Sequence, residues 1–479
     1  MINRRTFLGG LSASLAARTA LGKVADAADA PLLRLGIVSD THCRQSFDPS
    51  DRKTWGHWST YVLEKTLEKF RDWGVDAVVH PGDFTEYGAI AELEATGISW
   101  RRVFPNHKGK DGKIVERLFV RGNHDKMGKE EDLDQLIRKD PAKTWKDVFD
   151  VDWYTEKVML RRVNGYVFVL SDWETTRADL DAFFASHAKD IPSKQPFFYV
   201  QHAPPAGTVD CAQDAFGDRC GGDNCACARW LRKYPNCIAL TGHSHYSVTL
   251  GDQTWHEDFL SIGCGCLQYM WNRKGRDNSW SLPKGVKGHA RRCSSSGRQG
   301  MYMRVYADRI VLERWDFVNM EKVGPDRVFP LDGTKPFSYA EQRKRARAPE
   351  FPKGAELAFA GADFHYRVQG EKWFDERQLQ VAVPRAAECA FDEGRVYEYE
   401  CKVFDPAAGK EPLLVRRELA EGYFLNDARV EKTTTVAFGV DELPPGRELV
   451  FEVCPLDCWE NRGKPLTGRF TVGKVKKNG

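Results

Sequence analysis

The chain has 479 residues and is 42% hydrophobic, with 27 Phe and 14 Trp. That is too long for one average domain and ample for a sizeable core. A formal net charge of +3 is nearly balanced and gives no argument for a nucleic-acid partner or a charged membrane surface.

Taken in chain order, the first signal is Arg4-Arg5 followed by Phe7-Leu8, which resembles a bacterial twin-arginine export signal. The mildly apolar stretch from Phe7 to Leu21 is broken by Arg18. It is too short and too polar to span a bilayer, which takes about 20 apolar residues. Ala25-Asp26-Ala27 and Ala28-Asp29-Ala30 have the small-residue spacing of a cleavage site. A cut after Ala27 is preferred, because Pro31 would follow one at Ala30. The expectation is a signal peptide over 1–27, recognition by the twin-arginine export machinery, and a periplasmic or secreted product. The alternative is an amphipathic N-terminal helix with a chance Arg pair. No later segment is long enough to span a membrane, so no stable membrane insertion is expected.

Apolar runs at Leu35–Val38, Ala77–Val79, Leu118–Val120, Phe197–Val200 and Ile238–Leu240 read as buried strands. Between the first two, residues 54–73 read as a helix. Tyr61, Leu63, Leu67 and Phe70 fall near helical spacing, opposite Glu64, Lys65, Glu68 and Lys69, and Gly74 ends it. A strand–helix–strand unit argues for an α/β class. Further helices are expected from Ala89 into Arg102 and over Thr176–Lys189, and a hairpin arm over Arg161–Leu170. Ser247–Leu250, Phe259–Ile262, Met301–Tyr306 and Ile310–Trp315 read as strands. Residues 268–300, rich in Arg, Lys, Gly and Ser, read as a long surface loop that either shapes a pocket or is plain irregular structure. Beyond the Gly-, Pro- and charge-rich stretch Asp332–Pro352, short strand-like runs recur from Leu357 to Val472. That is the texture of an all-β sandwich. The run Arg343-Lys344-Arg345-Ala346-Arg347 reads as a solvated linker, not a nucleic-acid site.

Each of the first five strand-like runs is followed by metal-type ligands. These are Asp40-Thr41-His42, Gly82-Asp83, Gly122-Asn123-His124-Asp125, His202 and Gly242-His243-Ser244-His245. Strands ending in ligands gather them at one sheet edge, where open α/β sheets bind. Carboxylates, an amide oxygen and imidazoles are about what a pair of divalent ions needs. Asp40 and His42, two apart on an extended backbone, would point the same way and reach one ion.

In this ordered set the chain resembles the calcineurin-like metallophosphoesterase family, whose pattern is D-x-H, G-D, G-N-H-[DE], H and G-H-x-H. The resemblance covers about residues 32–318. It implies two mixed β-sheets packed face to face and flanked by helices, and hydrolysis of phosphate mono- or diesters by a metal-activated hydroxide. It also implies two divalent ions, of Mn, Fe, Zn or Co. One would be held by Asp40, His42, Asp83 and His245, the other by Asp83, Asn123, His202 and His243. In the family His124 sits near the leaving group and Asp125 helps orient it; the alternative for His124 is a structural role. Arg121 faces either substrate or surface. His57, His80, His107 and His256 have no ligand spacing and read as structural. The expected substrate is a small-molecule phosphate ester.

The domain reading is a signal peptide over 1–27, a catalytic domain over 32–318, a linker over 319–352 and a C-terminal β-sandwich over 353–475. The last loosely resembles a fibronectin type III module. It either binds a surface or a sugar, or packs on the catalytic domain. Of 13 cysteines, Cys211, Cys220, Cys225, Cys227 and Cys237 crowd into one loop. They read as a disulfide-stapled insertion, a structural metal knot or buried thiols, and their connectivity is not readable from sequence. Two competing functions stay open at this point. One is a non-catalytic surface- or carbohydrate-binding protein with a vestigial metal site. The other is a redox or metal-storage protein built on the cysteine cluster.

Overall fold

The computed structural model describes residues 30–44, 56–152, 156–209, 222–270, 297–367, 373–386, 395–420, 422–430 and 432–472. The segment 1–27 with Arg4 and Arg5, most of the 268–300 loop, and Cys211, Cys220 and Cys293 lie outside these residues.

Strand β1 (Leu33–Ile37) is followed by helix α1 (Gly56–Trp73), β2 (Ala77–His80), α2 (Ile90–Val103) and β3 (Glu116–Phe119). The three strands are parallel and adjacent. After α3 (Pro141–Phe149), β4 (Val158–Val163) and β5 (Tyr166–Ser171) form a hairpin. Its turn is Asn164-Gly165, with φ of 48° and 81°, the left-handed pair that a tight hairpin requires. Helix α4 (Arg177–Ser186) leads to β6 (Phe197–Val200), and the short α5 (Ala228–Leu231) leads to β7 (Cys237–Thr241). Strands β8 (Thr254–His256) and β9 (Leu260–Gly263) complete a six-stranded sheet of order β4-β5-β6-β7-β9-β8. Strands β10 (Gln299–Val305) and β11 (Arg309–Asp316) return to pair antiparallel beside β1.

The two sheets pack face to face. Leu35, Ile37, Val79 and Met303 from one and Phe168, Leu170, Phe198, Val200, Leu240 and Ile262 from the other share one buried cluster. The alternate residues of the second sheet, Val167, Val169, Phe197 and Tyr199, pack outward on Leu180, Phe183 and Phe184 of α4. Both faces are covered, which explains why these strands read as continuous apolar runs rather than alternating ones.

Four details differ from the sequence reading. Tyr61 is 54% exposed; α1 buries Leu63, Leu67 and Phe70 as expected, with Val62 and Thr66 completing the buried face in place of Tyr61. Ser247–Leu250 is a turn, not a strand. The Ser247 and Thr249 hydroxyls bond each other at 2.7 Å, and the Val248 N–H donates to Gln299 Oε1; such side-chain partners replace a ladder. The stretch 319–352 is not a bare linker. Strands β12 (Glu321–Lys322) and β13 (Arg327–Pro330) pair with β11, and helix α6 (Tyr339–Arg345) is capped by Ser338. Within the basic run, Arg343 lies over the Trp459 ring and Arg345 over Phe337. Finally, α3 and β8 have no counterpart in the sequence reading, being nine and three residues long.

Among the described residues the C-terminal region contains only antiparallel pairing. Strands β14 (Ala358–Arg367), β15 (Trp373–Pro384), β16 (Val396–Phe404), β17 (Leu414–Leu419), β18 (Thr433–Gly439), β19 (Glu448–Asp457) and β20 (Leu466–Thr471) form two sheets. Their orders are β14-β15-β18 and β17-β16-β19-β20. Val381 and Val436 of one sheet and Tyr399 and Phe451 of the other share a core, which also takes in Leu250, Cys266 and Met270. The β-sandwich therefore packs directly on the α/β part. Among the described residues no helix is long and apolar enough to cross a membrane.

Candidate metal centre

The loops after β1, β2 and β3 in one sheet, and after β6 and β7 in the other, meet at one edge of the sandwich. The motif glycines allow that approach. A Cβ at Gly122 would collide with the Asp83 carboxylate, and one at Gly242 would collide with Ser39 Oγ and Asp40 Oδ2. Asp40, His42, Asp83, His243 and His245 all have positive φ, between 44° and 67°. Non-glycine residues rarely adopt that conformation, and its cost is met at sites of function. The expectation of an extended backbone through Asp40 and His42 is therefore wrong. Tight left-handed turns, not strand alternation, aim these side chains.

The resulting cluster is buried and its ligand atoms converge. Ligand atoms of Asp40, His42, Asp83 and His245 lie within 4.8 Å of one another, as do those of Asp83, His202 and His243. Asp83 belongs to both groups. Its Oδ1 accepts the His124 N–H at 2.8 Å. Its Oδ2 lies 3.6 Å from His42 Nε2 and 3.1 Å from His202 Nε2. Asp40 Oδ1 is 3.0 Å from His245 Nε2, and Asn123 Oδ1 is 3.1 Å from His202 Nε2. Facing ring nitrogens are also close, at 3.0 Å for His42 and His245 and 3.2 Å for His202 and His243.

Each of three rings is held from behind. His202 Nδ1 faces the Pro81 carbonyl at 2.7 Å, and His42 Nδ1 faces Glu86 Oε2 at 3.0 Å. His245 Nδ1 faces the Tyr269 carbonyl at 3.2 Å and Cys266 Sγ at 3.3 Å. An outer partner on one nitrogen turns the other inward, the arrangement of metal-ligating histidines.

The electrostatics follow from burial and charge together. Burial would raise Asp40, but the imidazoles beside it, His245 foremost, hold it well below the usual range. Burial likewise opposes Asp83, and His202 outweighs it. Burial and the charge of His202 push His243 down to about 3, so that ring is neutral with a lone pair to give. Burial would also raise Glu86; His42 and Arg44 override it and hold the carboxyl at about 2.

His124 and Asp125 occupy different places. His124 Nδ1 lies 2.8 Å from the Glu86 carbonyl, and its ring stands edge-on to His42 at 4.5 Å. Burial lowers its pKa. The oxygens of Asp125 accept the N–H groups of Gly122, Asp83 and Thr85 and the Thr85 hydroxyl, at 2.9 to 3.0 Å. It ties the loops after β2 and β3 together. Burial, then the charge of Asp83, raises its pKa to about 6.

Arg121 does not face the surface. It is buried and grips Asp172 through two bonds of 2.6 and 2.7 Å. That anchors Trp173, whose ring is 5.5 Å from His202 and 5.4 Å from His243. Tyr269 flanks the other side, 4.5 Å from the His245 ring. Glu86, Trp173, Cys266 and Tyr269 were not among the expected site residues. Trp173 was the most accessible of them, since it follows β5 at the ligand-bearing edge. His80 is a neutral core residue: burial pushes it to about 3, and it stacks on Phe84 and bonds Thr41 Oγ1 at 2.9 Å. Cys227 and Cys237 are buried free thiols.

Residues 33–247 match the family model described as calcineurin-like phosphoesterase. This stretch is a calcineurin-like phosphoesterase domain. The match ends at Ser247, short of the expected 318, although β8 to β11 complete the phosphoesterase sheets. Members of the family typically bind two divalent metals, and the buried Asp/His cluster fits such a pair. Among solved structures, a dimetal phosphatase from Danio rerio is 13% identical. It aligns over 63% of this chain and 100% of its own, with a TM-score of 0.40. Purple acid phosphatase PPD1 from yellow lupin seeds is 12% identical, over 64% of this chain and 56% of its own, with a TM-score of 0.41. At these values neither likeness speaks to activity. No curated protein is similar enough to the chain to be matched.

Proposed function

We propose that the chain is an exported phosphoesterase that holds two divalent ions and hydrolyses phosphate mono- or diesters. The observation that carries this reading is the Asp83 carboxylate. One oxygen is pinned by a backbone N–H, and the other faces two ligand clusters at once. In this reading Asp40, His42, Asp83 and His245 hold one ion, and Asp83, Asn123, His202 and His243 hold the other. Mn, Fe, Zn and Co all suit such nitrogen and oxygen donors.

When bound, the pair of ions offsets the charge on the phosphate oxygens and supplies hydroxide at neutral pH. The chain does the rest. Asn123 is neutral and keeps the second ion electron-poor. Glu86 and the Tyr269 carbonyl fix the rings of His42 and His245. Asp125 fixes the loops that carry Asp83 and Asn123. His124 has its Nδ1 occupied by the Glu86 carbonyl, so its Nε2 is the atom that meets the leaving oxygen. Burial keeps that ring neutral, and the negative charge of an incoming phosphate restores the proton it donates. Trp173 and Tyr269 wall the two sides.

The test is turnover by the mature protein with Mn²⁺ on chromogenic mono- and diesters. Nucleotides, sugar phosphates and phospholipid head groups follow. Turnover abolished by a chelator supports the reading; two tightly bound metals with no turnover of any ester would overturn it. Export rests on Arg4-Arg5. Replacing both by Lys should strand precursor in the cytoplasm, and normal arrival of that variant in the periplasm would refute the twin-arginine route.

A further inference from the structure

A second cavity lies at the opposite edge of the sandwich. It sits between the starts of β6, β7 and β9 on one side and the start of β11 and the end of β13 on the other, with a volume of about 260 Å³. The metal-type ligands follow the far ends of β6 and β7. Five residues of β7 at about 3.3 Å each set the two sites roughly 17 Å apart or more.

The inner wall is apolar: Ile238, Leu260, Ile310 and Phe329 line it and are buried. His256 lines it too, 9% exposed, and its Nδ1 has no hydrogen-bond partner. A buried polar atom left this way is costly and calls for a partner such as a water, an ion or a ligand. At the mouth stand the exposed Lys194 and Lys335. Lys335 Nζ donates to the Glu257 carbonyl. No carboxylate is among the residues that line the cavity.

A cationic mouth, an apolar floor and an unanswered imidazole nitrogen select one ligand chemistry. We propose that this cavity binds a small apolar monocarboxylate. Its carboxylate sits between Lys194 and Lys335 within reach of His256 Nδ1, and its body lies on Ile238, Leu260, Ile310 and Phe329. The cavity falls below the roughly 300–1,000 Å³ of a drug-sized site, so the body is a single ring or a short branched chain. A phosphate ester with a polar body would strand its hydroxyls against that floor. Burial, with the charge of Lys335, pushes His256 down to about 4. The ring is therefore neutral at pH 7, with one N–H to donate and one lone pair.

Benzoate titrated into the full-length protein, followed by calorimetry and saturation-transfer NMR, tests this. The expected result is saturable one-to-one binding that is about tenfold weaker or more in the Lys194→Gln/Lys335→Gln variant. Turnover of a chromogenic phosphate ester should be unchanged in that variant, because neither lysine is near the metal centre. Benzyl alcohol, with the same body and no charge, should bind more weakly than benzoate. Leu331→Trp at the rim should block both. Binding of benzoate that is undiminished in the double lysine variant would place the carboxylate elsewhere, the metal centre included, and overturn the proposal. Absence of saturable benzoate binding would also overturn it.

Discussion

Asp40, His42, Asp83, His243 and His245 pay a conformational cost that no other part of the described residues concentrates so tightly. Their positive φ values bring side chains from three loops onto one point. The residue types and their order were legible in sequence, because ligand chemistry dictates them. The backbone that aims them was not, since nothing in D-x-H requires a left-handed turn. The same holds for Asp125. Its place beside His124 suggested an orienting partner, yet its three N–H acceptances and the Thr85 hydroxyl use both oxygens. The role of His124 is selective among substrates. His124→Asn should slow hydrolysis of an alkyl phosphate ester by about 10²–10⁴-fold. A nitrophenyl ester, whose leaving group needs no proton, should lose much less, and metal content should stay at the wild-type level. Equal losses on both esters, measured with metal content in parallel, would make His124 a positioning residue.

Among elements, α2 shows how a charge at a helix start is tied to the site. Glu92 is buried and accepts the N–H groups of Tyr87 and Ala89 at 2.9 and 3.3 Å. It thereby holds the turn that follows Glu86. Burial raises its carboxyl from 4.5 to about 7, against the pull of those two donors. The folded chain thus keeps a proton that the unfolded chain releases. That stabilisation is complete below about pH 4.5 and is lost as pH rises through about 7, of order 3 kcal/mol in all. Glu92→Gln should flatten this fall while still capping the turn. Denaturant midpoints of both proteins at about pH 5 and pH 8 measure it; parallel pH dependence in the two would exclude Glu92 as its source. Element type was readable where apolar runs were long and covered on both faces. It failed at Ser247–Leu250, where Val248 and Leu250 are buried by a turn that hydroxyl groups stabilise. It also failed at 319–352, where charge and Gly/Pro content concealed two short strands and a docked helix.

The whole molecule is two layered parts joined by a common core, and that join was open in sequence between packing and surface binding. The structure supplies the contacts for packing. Gln299 Nε2 donates to the Phe424 carbonyl at 2.6 Å and Thr249 Oγ1 to the Tyr423 carbonyl at 3.2 Å. The Phe424 ring fills the space over Gly297. Cys266, in the same shared core, touches His245, so the β-sandwich buttresses the loop behind one metal ligand. Phe424→Ala should cost about 3–5 kcal/mol and should lower the denaturant midpoint for metal release together with that for unfolding. An unchanged metal-release midpoint would show the two parts to be independent.

Everything proposed for the site turns on Asp83 being shared between two ions. Elemental analysis of the purified wild type and of Asp83→Asn decides it. The wild type should hold about two divalent ions per chain. The variant, which loses the negative charge between them, should lose occupancy at both positions. Two tightly held ions in Asp83→Asn would contradict the claim.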